Sequence, residues 1–180
     1  KWPVMKEKRS DHSHAKSPYS LAEPYPEVRV TCENPRYAAL LLQDYAGFSG
    51  ELTAINQYIY HYISLQHSYP AIADAARHIA IVEMHHFEML GKTIQLLGKA
   101  PVVHFPDCGA MHFWSSKYVY YGGTIYDKLA CNIQHEADAI RNYRSRLRQI
   151  NDPCIRPVLE RIILDEEHHL RIYSQLREDL

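Results

Sequence analysis

Apolar positions recur at helical spacing over four long stretches of the chain, and a capping signal opens each stretch. The first follows Asn34-Pro35, an N-cap with proline at the first helical position, and runs from Tyr37 to Leu65. Gly47 and Gly50 lie inside it. Each weakens a helix by about 1 kcal/mol relative to alanine, so a bend or a close approach of a neighbour is predicted there. The second opens at Ser68-Tyr69-Pro70 and ends at Gly98, which suits the left-handed position after a helix. The third starts at Thr124, with Asp127 three residues on as a capping-box partner, and reaches about Ile150. Asp152-Pro153 repeats the cap-plus-proline signal and opens the fourth, which continues to the end of the chain.

Helices of about 27 residues are about 40 Å long at 1.5 Å per residue, which matches an all-α antiparallel four-helix bundle. The links between the first and second and between the third and fourth helices are short. Lys99 to Gly123, with Pro101, Pro106, Gly109 and Gly122-Gly123, is a crossover long enough to run the length of the bundle. Two helical hairpins over residues 34–180 are therefore expected, preceded by an extended arm over residues 1–33 that lacks periodicity. Asp11-His12-Ser13-His14 in that arm reads as tail and is given no role.

Composition narrows the class. In 180 residues, 20 Lys and Arg nearly cancel 21 Asp and Glu, and the pI is near 6.9, so no basic field is available for nucleic acid or an anionic membrane surface. No apolar run approaches the roughly 18 residues of a membrane span, and the first residues lack an apolar signal core, so a cytoplasmic location is expected. Cys32, Cys108, Cys131 and Cys154 stand far apart with no Cys-x-x-Cys pair, and read as free thiols. The chain is rich in two other side chains, with twelve histidines and fourteen tyrosines.

Some of those histidines sit where an apolar residue is expected. The second helix carries Glu83-x-x-His86 and the fourth Glu166-x-x-His169, each pair on one helix face. Ala76, Ile79, Ala80, Phe87 and Leu90 surround Glu83; Leu159, Ile162, Ile163, Leu170 and Tyr173 surround Glu166. The first and third helices supply one such misfit each, Glu51 among Phe48, Ala54, Ile55 and Tyr58, and Glu136 among Leu129, Ile133, Ala139, Ile140 and Tyr143. An unpaired buried charge costs several kcal/mol. Four carboxylates converging in mid-bundle repel one another unless cations lie between them, and two divalent ions balance four carboxylates. Glu51, Glu83, His86, Glu136, Glu166 and His169 are therefore the candidate metal ligands and catalytic residues.

Asp165 and His168 are also three apart, but Arg161, Val158 and Ile172 make a mixed face around Asp165, so Glu166 and His169 are placed inside and His168 on the flank. His85 and His135 fall about 100° from the ligand line and read as surface or supporting groups. Asp165 is a candidate acceptor for the ring N–H of a ligand histidine. Val82 holds the matching place on the second helix, so the two halves of the site are not equivalent.

These residues carry a resemblance. Over about Asn34 to Leu180, Glu51, Glu83-x-x-His86, Glu136 and Asp165-Glu166-x-x-His169 resemble the ferritin-like superfamily, in its bacterioferritin and rubrerythrin branch. The spacings of 32 residues from Glu51 to Glu83 and 30 from Glu136 to Glu166 are each one helical hairpin. The stretch from Asn34-Pro-Arg-Tyr to Ser49-Gly-Glu also looks like the small manganese-catalase-like spore-coat proteins. The resemblance implies two iron or manganese ions, bridged by two of the glutamates, that react with hydrogen peroxide or dioxygen. No rubredoxin-like four-cysteine module is visible, so a reductant comes from outside. Only one inward Glu is apparent on the third helix, without the extra one of rubrerythrins. Met84 stands where bacterioferritins place a haem-ligating methionine, but it reads as a packing residue, and haem is not expected.

The chemistry favours hard metals with some imidazole affinity, iron or manganese ahead of magnesium or calcium. Tyr58 or Tyr143 would donate hydrogen bonds or relay electrons. The first reading is a dinuclear non-haem oxidoreductase consuming peroxide or dioxygen, of peroxidase or catalase type. The second is a ferroxidase or iron-storage protein. A third is a structural metal site with the aromatic crossover, Trp114 and Tyr118-Val-Tyr-Tyr121, meeting a partner, although those aromatics also suit covering the bundle flank or a dimer contact. A homodimer or larger homo-oligomer is expected.

Overall fold

The computed structural model describes residues 18–180, and the Asp11 to His14 cluster lies outside them. Five α-helices make four bundle members: α1 (Pro35–Ala46) and α2 (Glu51–Leu65) share the first position, followed by α3 (Pro70–Leu96), α4 (Ile125–Gln149) and α5 (Ile155–Glu178). α2 packs mainly on α3 and α4 on α5, giving the two expected hairpins.

The first stretch is two helices rather than one bent helix. A Cβ at Gly47 would collide with the carbonyl of Gln43, and one at Gly50 would come within 2.6 Å of the carbonyl oxygen of Asp44. The break is held by Thr53, which donates its hydroxyl to Gly47 O at 3.0 Å and accepts the indole N–H of Trp114, also at 3.0 Å. It leaves Glu51 as the first residue of α2, where the positive end of the helix dipole favours a carboxylate.

The remaining ends follow their local chemistry. Asn34 Oδ1 accepts from Tyr37 N, and Thr124 and Asp127 form a reciprocal capping box. Gly98 has φ +87°, the left-handed geometry expected after α3. α5 begins at Ile155, two residues later than the Asp152-Pro153 signal implies, because Asp152 Oδ1 accepts from Cys154 N at 2.8 Å before the helix proper starts.

The crossover is not featureless. It holds an antiparallel hairpin, β1 (His104–Asp107) with β2 (Ala110–Phe113), and a short 3-10 turn at Ser116–Tyr118. Its aromatics cover the bundle: Trp114 and Tyr118 pack on the core, and Tyr120 N donates to Gln57 Oε1. All four cysteines are free. No helix among the described residues is long and apolar enough to cross a membrane.

The apolar core is split in two. One cluster joins Leu41, Leu42, Leu90, Ile94, Tyr143, Leu159 and Ile162, and the other joins Ala54, Tyr58, Ala76, Ile79, Leu129 and Tyr173. On each helix the charged misfits identified from sequence fall between the residues of the two clusters.

Candidate metal centre

Glu51, Glu83, His86, Glu136, Glu166 and His169 occupy that seam, none more than 3% exposed. Two overlapping groups result, Glu51–Glu83–His86–Glu166 and Glu83–Glu136–Glu166–His169, and within each the donor atoms lie within 4.8 Å of one another. Glu83 and Glu166 belong to both. Around His86 Nδ1, Glu83 Oε2 lies at 2.9 Å, Glu166 Oε1 at 3.1 Å and Glu51 Oε2 at 3.9 Å. Around His169 Nδ1, Glu83 Oε1 lies at 2.9 Å, Glu166 Oε2 at 3.8 Å and Glu136 Oε2 at 3.9 Å.

The two carboxylates that belong to a single group each, Glu51 and Glu136, are steadied from the side. Tyr143 donates its hydroxyl to Glu51 Oε1, and Tyr58 donates to Glu136 Oε1. In each case the second oxygen of the same carboxylate is the one nearest the imidazole. Burial, followed by the adjacent glutamate, pushes both phenols well above their ordinary range, so they stay donors.

The residues fit a pair of cations. Glu83 Oε1, Glu166 Oε1 and His169 Nδ1 are buried without a hydrogen-bond partner, although Glu83 Oε1 and His169 Nδ1 are only 2.9 Å apart. Their separation is short but the direction is wrong for a hydrogen bond, as for lone pairs aimed at a common point. The outer nitrogens fix the tautomers. His169 Nε2 faces the carbonyl oxygen of Tyr19 at 2.9 Å, and His86 Nε2 faces Asp165 Oδ2 at 3.1 Å. Both partners are acceptors, so Nε2 keeps its proton, and Nδ1, which in His86 now meets Glu83 Oε2 at 2.9 Å, is the nitrogen that would give up a proton and offer its lone pair inward to a cation.

The charges reinforce this reading. Burial, then the Glu166 and Glu83 carboxylates, hold Glu51 and Glu136 well above the usual carboxylate range. Burial works the same way on Glu166 and Glu83, but the two imidazoles outweigh it and lower both. Burial opposes protonation of the imidazoles, yet their carboxylate neighbours raise His86 well above its ordinary value and His169 to about 9. Without cations, Glu51, Glu136, His86 and His169 hold their protons to higher pH than they would in water.

Other sequence candidates are dispersed. Asp165, read from sequence as an acceptor for a ligand-histidine N–H, is fully buried and faces His86 Nε2 on the opposite hairpin. His168 is on the flank and faces Pro18 O at 2.8 Å. His135 is buried with its ring edge against Tyr58 and Nε2 unpartnered, whereas His85 lies at the edge of Tyr25. Met84 does not pack as expected, being 43% exposed.

The sequence predicts an arm but not its contacts with the site. Residues 18–33 form no helix or strand, yet Pro18 to Tyr25 lie against α3 and α5 behind the two imidazoles. Leu21 N donates to Asp165 Oδ1 at 2.9 Å, and Tyr25 donates its hydroxyl to Oδ2. Arg161 pairs with Asp165 at 2.8 Å, donates to the carbonyls of Leu21 and Glu23, and stacks 4.2 Å from the Tyr25 ring centre. His86, Tyr25 and Arg161 outweigh the effect of burial on Asp165 and hold its carboxyl below the usual range.

Comparison with known proteins places the fold. A probable manganese catalase from Clostridium acetobutylicum is 29% identical over 167 residues, covering 83% of this chain and 73% of that protein. The structure of KatB, a manganese catalase from Anabaena, superposes with a TM-score of 0.79 at 26% identity, over 88% of this chain and 78% of that one. The bacterioferritin of Desulfovibrio desulfuricans, described with a diiron site, gives 0.67 at 26% identity, over 79% and 78% of the two chains. The model of the ferritin-like domain matches residues 46–180, well over half of the sequence. The chain belongs to the ferritin-like domain family.

Proposed function

We propose that this chain is a dinuclear oxidoreductase that disproportionates hydrogen peroxide, two molecules giving two of water and one of dioxygen. The observation that carries the reading is the sharing of Glu83 and Glu166 by two four-residue donor groups in one buried layer. Glu83 and Glu166, common to both groups, would contribute to two metal positions, Glu51 and His86 would complete one, and Glu136 and His169 would complete the other. When bound, a pair of manganese or iron ions supplies a two-electron change, one electron from each. The likeness to two manganese catalases supports peroxide as substrate and manganese as the metal.

The chain's own part is to hold the donors in place and keep the site dry. The two apolar clusters close the layer from both ends of the bundle. Tyr143 and Tyr58 each occupy one oxygen of a terminal glutamate, so the other is directed inward. Because a second peroxide supplies the electrons, this reaction needs no partner reductant.

A second reading is ferroxidase activity, favoured by the likeness to a bacterioferritin with a diiron site. The test is metal content per chain by mass spectrometry, followed by oxygen release from peroxide. About two equivalents of manganese and evolution of dioxygen support the proposal. Iron oxidation without dioxygen release from peroxide favours the ferroxidase, and less than half an equivalent of either metal overturns both.

A further inference from the structure

The two halves of the centre match closely. Each has one terminal glutamate, each terminal glutamate accepts one tyrosine hydroxyl, and the two bridging glutamates are common to both. The halves differ at the outer nitrogen of the imidazole. His86 Nε2 meets a carboxylate, Asp165, whereas His169 Nε2 meets a neutral backbone carbonyl, that of Tyr19.

A carboxylate acceptor raises the basicity of a ligand imidazole and fixes its ring more firmly than a carbonyl does. Asp165 is itself fixed from several sides, by Arg161 on its own helix and by Leu21 N and the Tyr25 hydroxyl from the arm. The carbonyl of Tyr19 is steadied differently. The Tyr19 hydroxyl donates to Asp74 Oδ2 at 3.2 Å, and its ring stacks on His78 with centres 5.1 Å apart, both on α3. His168 Nε2 to Pro18 O, at 2.8 Å, is a second tie to α5.

We propose that residues 18–25 are a positioning strap for the metal centre, and that the position completed by His169 is the weaker, more readily exchanged of the two. Tyr19 is a positioning residue for it, acting through its carbonyl on His169. Displacing the strap at Tyr19 loosens that imidazole while Arg161 and Asp165 still hold His86. The inference rests on the dinuclear reading above and assigns an order to its two positions.

The test follows metal loss from the manganese-loaded protein after addition of excess EDTA, by mass spectrometry of retained metal. Wild type is expected to lose its two ions in separate phases. Electron paramagnetic resonance should show an exchange-coupled signal giving way to a six-line mononuclear one after the first phase. Tyr19→Ala should accelerate the fast phase about tenfold or more and leave the slow phase unchanged. Tyr19→Phe, which keeps the ring on His78, should accelerate it less. Asp165→Asn should accelerate the slow phase instead. Loss of both ions in one phase from wild type, or a fast phase unchanged in Tyr19→Ala, overturns the strap while leaving the dinuclear centre standing. Fewer than one equivalent in loaded wild type overturns both.

Discussion

Glu83 on α3 reaches both imidazoles, with Oε2 at 2.9 Å from His86 Nδ1 on its own helix and Oε1 at 2.9 Å from His169 Nδ1 on α5. A residue shared in this way differs from a terminal one in what its removal does. Glu83→Gln and Glu166→Gln take a charged donor from both groups, so each variant should retain well under one metal per chain. Glu51→Gln and Glu136→Gln each affect one group and should retain about one. Equal losses from all four variants, measured by mass spectrometry after identical loading, would contradict the bridging assignment.

Metal removal should make stability strongly pH-dependent. In the stripped protein Glu51 and Glu136 titrate well above 4.5, and His86 and His169 above 6.5, the latter at about 9. Between about pH 5 and 9 the folded chain thus binds more protons than the unfolded chain, and its stability falls as pH rises. Glu83 and Glu166, shifted down, act in the opposite sense, and their contribution is lost as pH falls below about 4.5. Loaded protein has exchanged the raised groups' protons for cations. The gap in melting temperature between loaded and stripped forms should widen from pH 5.5 to 8.5, with protons released on manganese addition. A gap constant across that range would show that these groups are not the ones carrying the metals.

The four bundle members and all six candidate ligands were legible in the sequence because both leave a periodic trace: apolar residues at helical spacing, and charges where that spacing calls for apolar ones. The arm's place left none. It reaches the site mostly through the Pro18, Tyr19, Leu21 and Glu23 carbonyls and the Leu21 N–H, groups that nearly any residue would supply, and its side-chain contacts, those of Tyr19 and Tyr25, stand in a stretch with no periodicity to single them out. The hairpin of four-residue strands was invisible for a related reason, since His104–Asp107 contains Pro106 and is too short to show alternation. The glycines announced a disturbance in the first helix, but the length of the break depends on Thr53 and on Trp114, 61 residues further along.

Away from the metal layer, Arg146 and Asp44 form a buried pair, Nε to Oδ2 at 2.7 Å, and Arg146 also donates to Gln43 Oε1 at 2.7 Å. Burial still raises Asp44 to about 6 despite the guanidinium. Arg146→Met leaves that carboxylate without its cation and should destabilise the fold by about 3–5 kcal/mol at pH 8. The loss should shrink at pH 5, because Asp44 there takes up a proton and no charge is left to compensate. Urea unfolding at the two pH values checks this, and an equal loss at both would mean that Asp44 is not the group responsible.

Tyr58 and Tyr143 distinguish two roles that a buried tyrosine beside such a centre can have. As donors to Glu136 and Glu51 they restrain a carboxylate, and hydrogen bonds to charged groups contribute about 1.5–3 kcal/mol. Tyr58→Phe should therefore weaken metal at the position Glu136 completes by about tenfold or more, and Tyr143→Phe at the position Glu51 completes. Turnover should recover when free manganese is raised, since the donors remain and only their restraint is lost. An electron relay predicts the reverse, full metal content with turnover that no added metal restores. The two rings are not interchangeable in their surroundings: Tyr58 also lies 5.4 Å from Tyr173 and against His135, whereas Tyr143 belongs to the opposite apolar cluster. A loss of turnover confined to Tyr58→Phe, with two metals still bound, would identify that side of the bundle as an electron path and leave Tyr143 as a restraint alone.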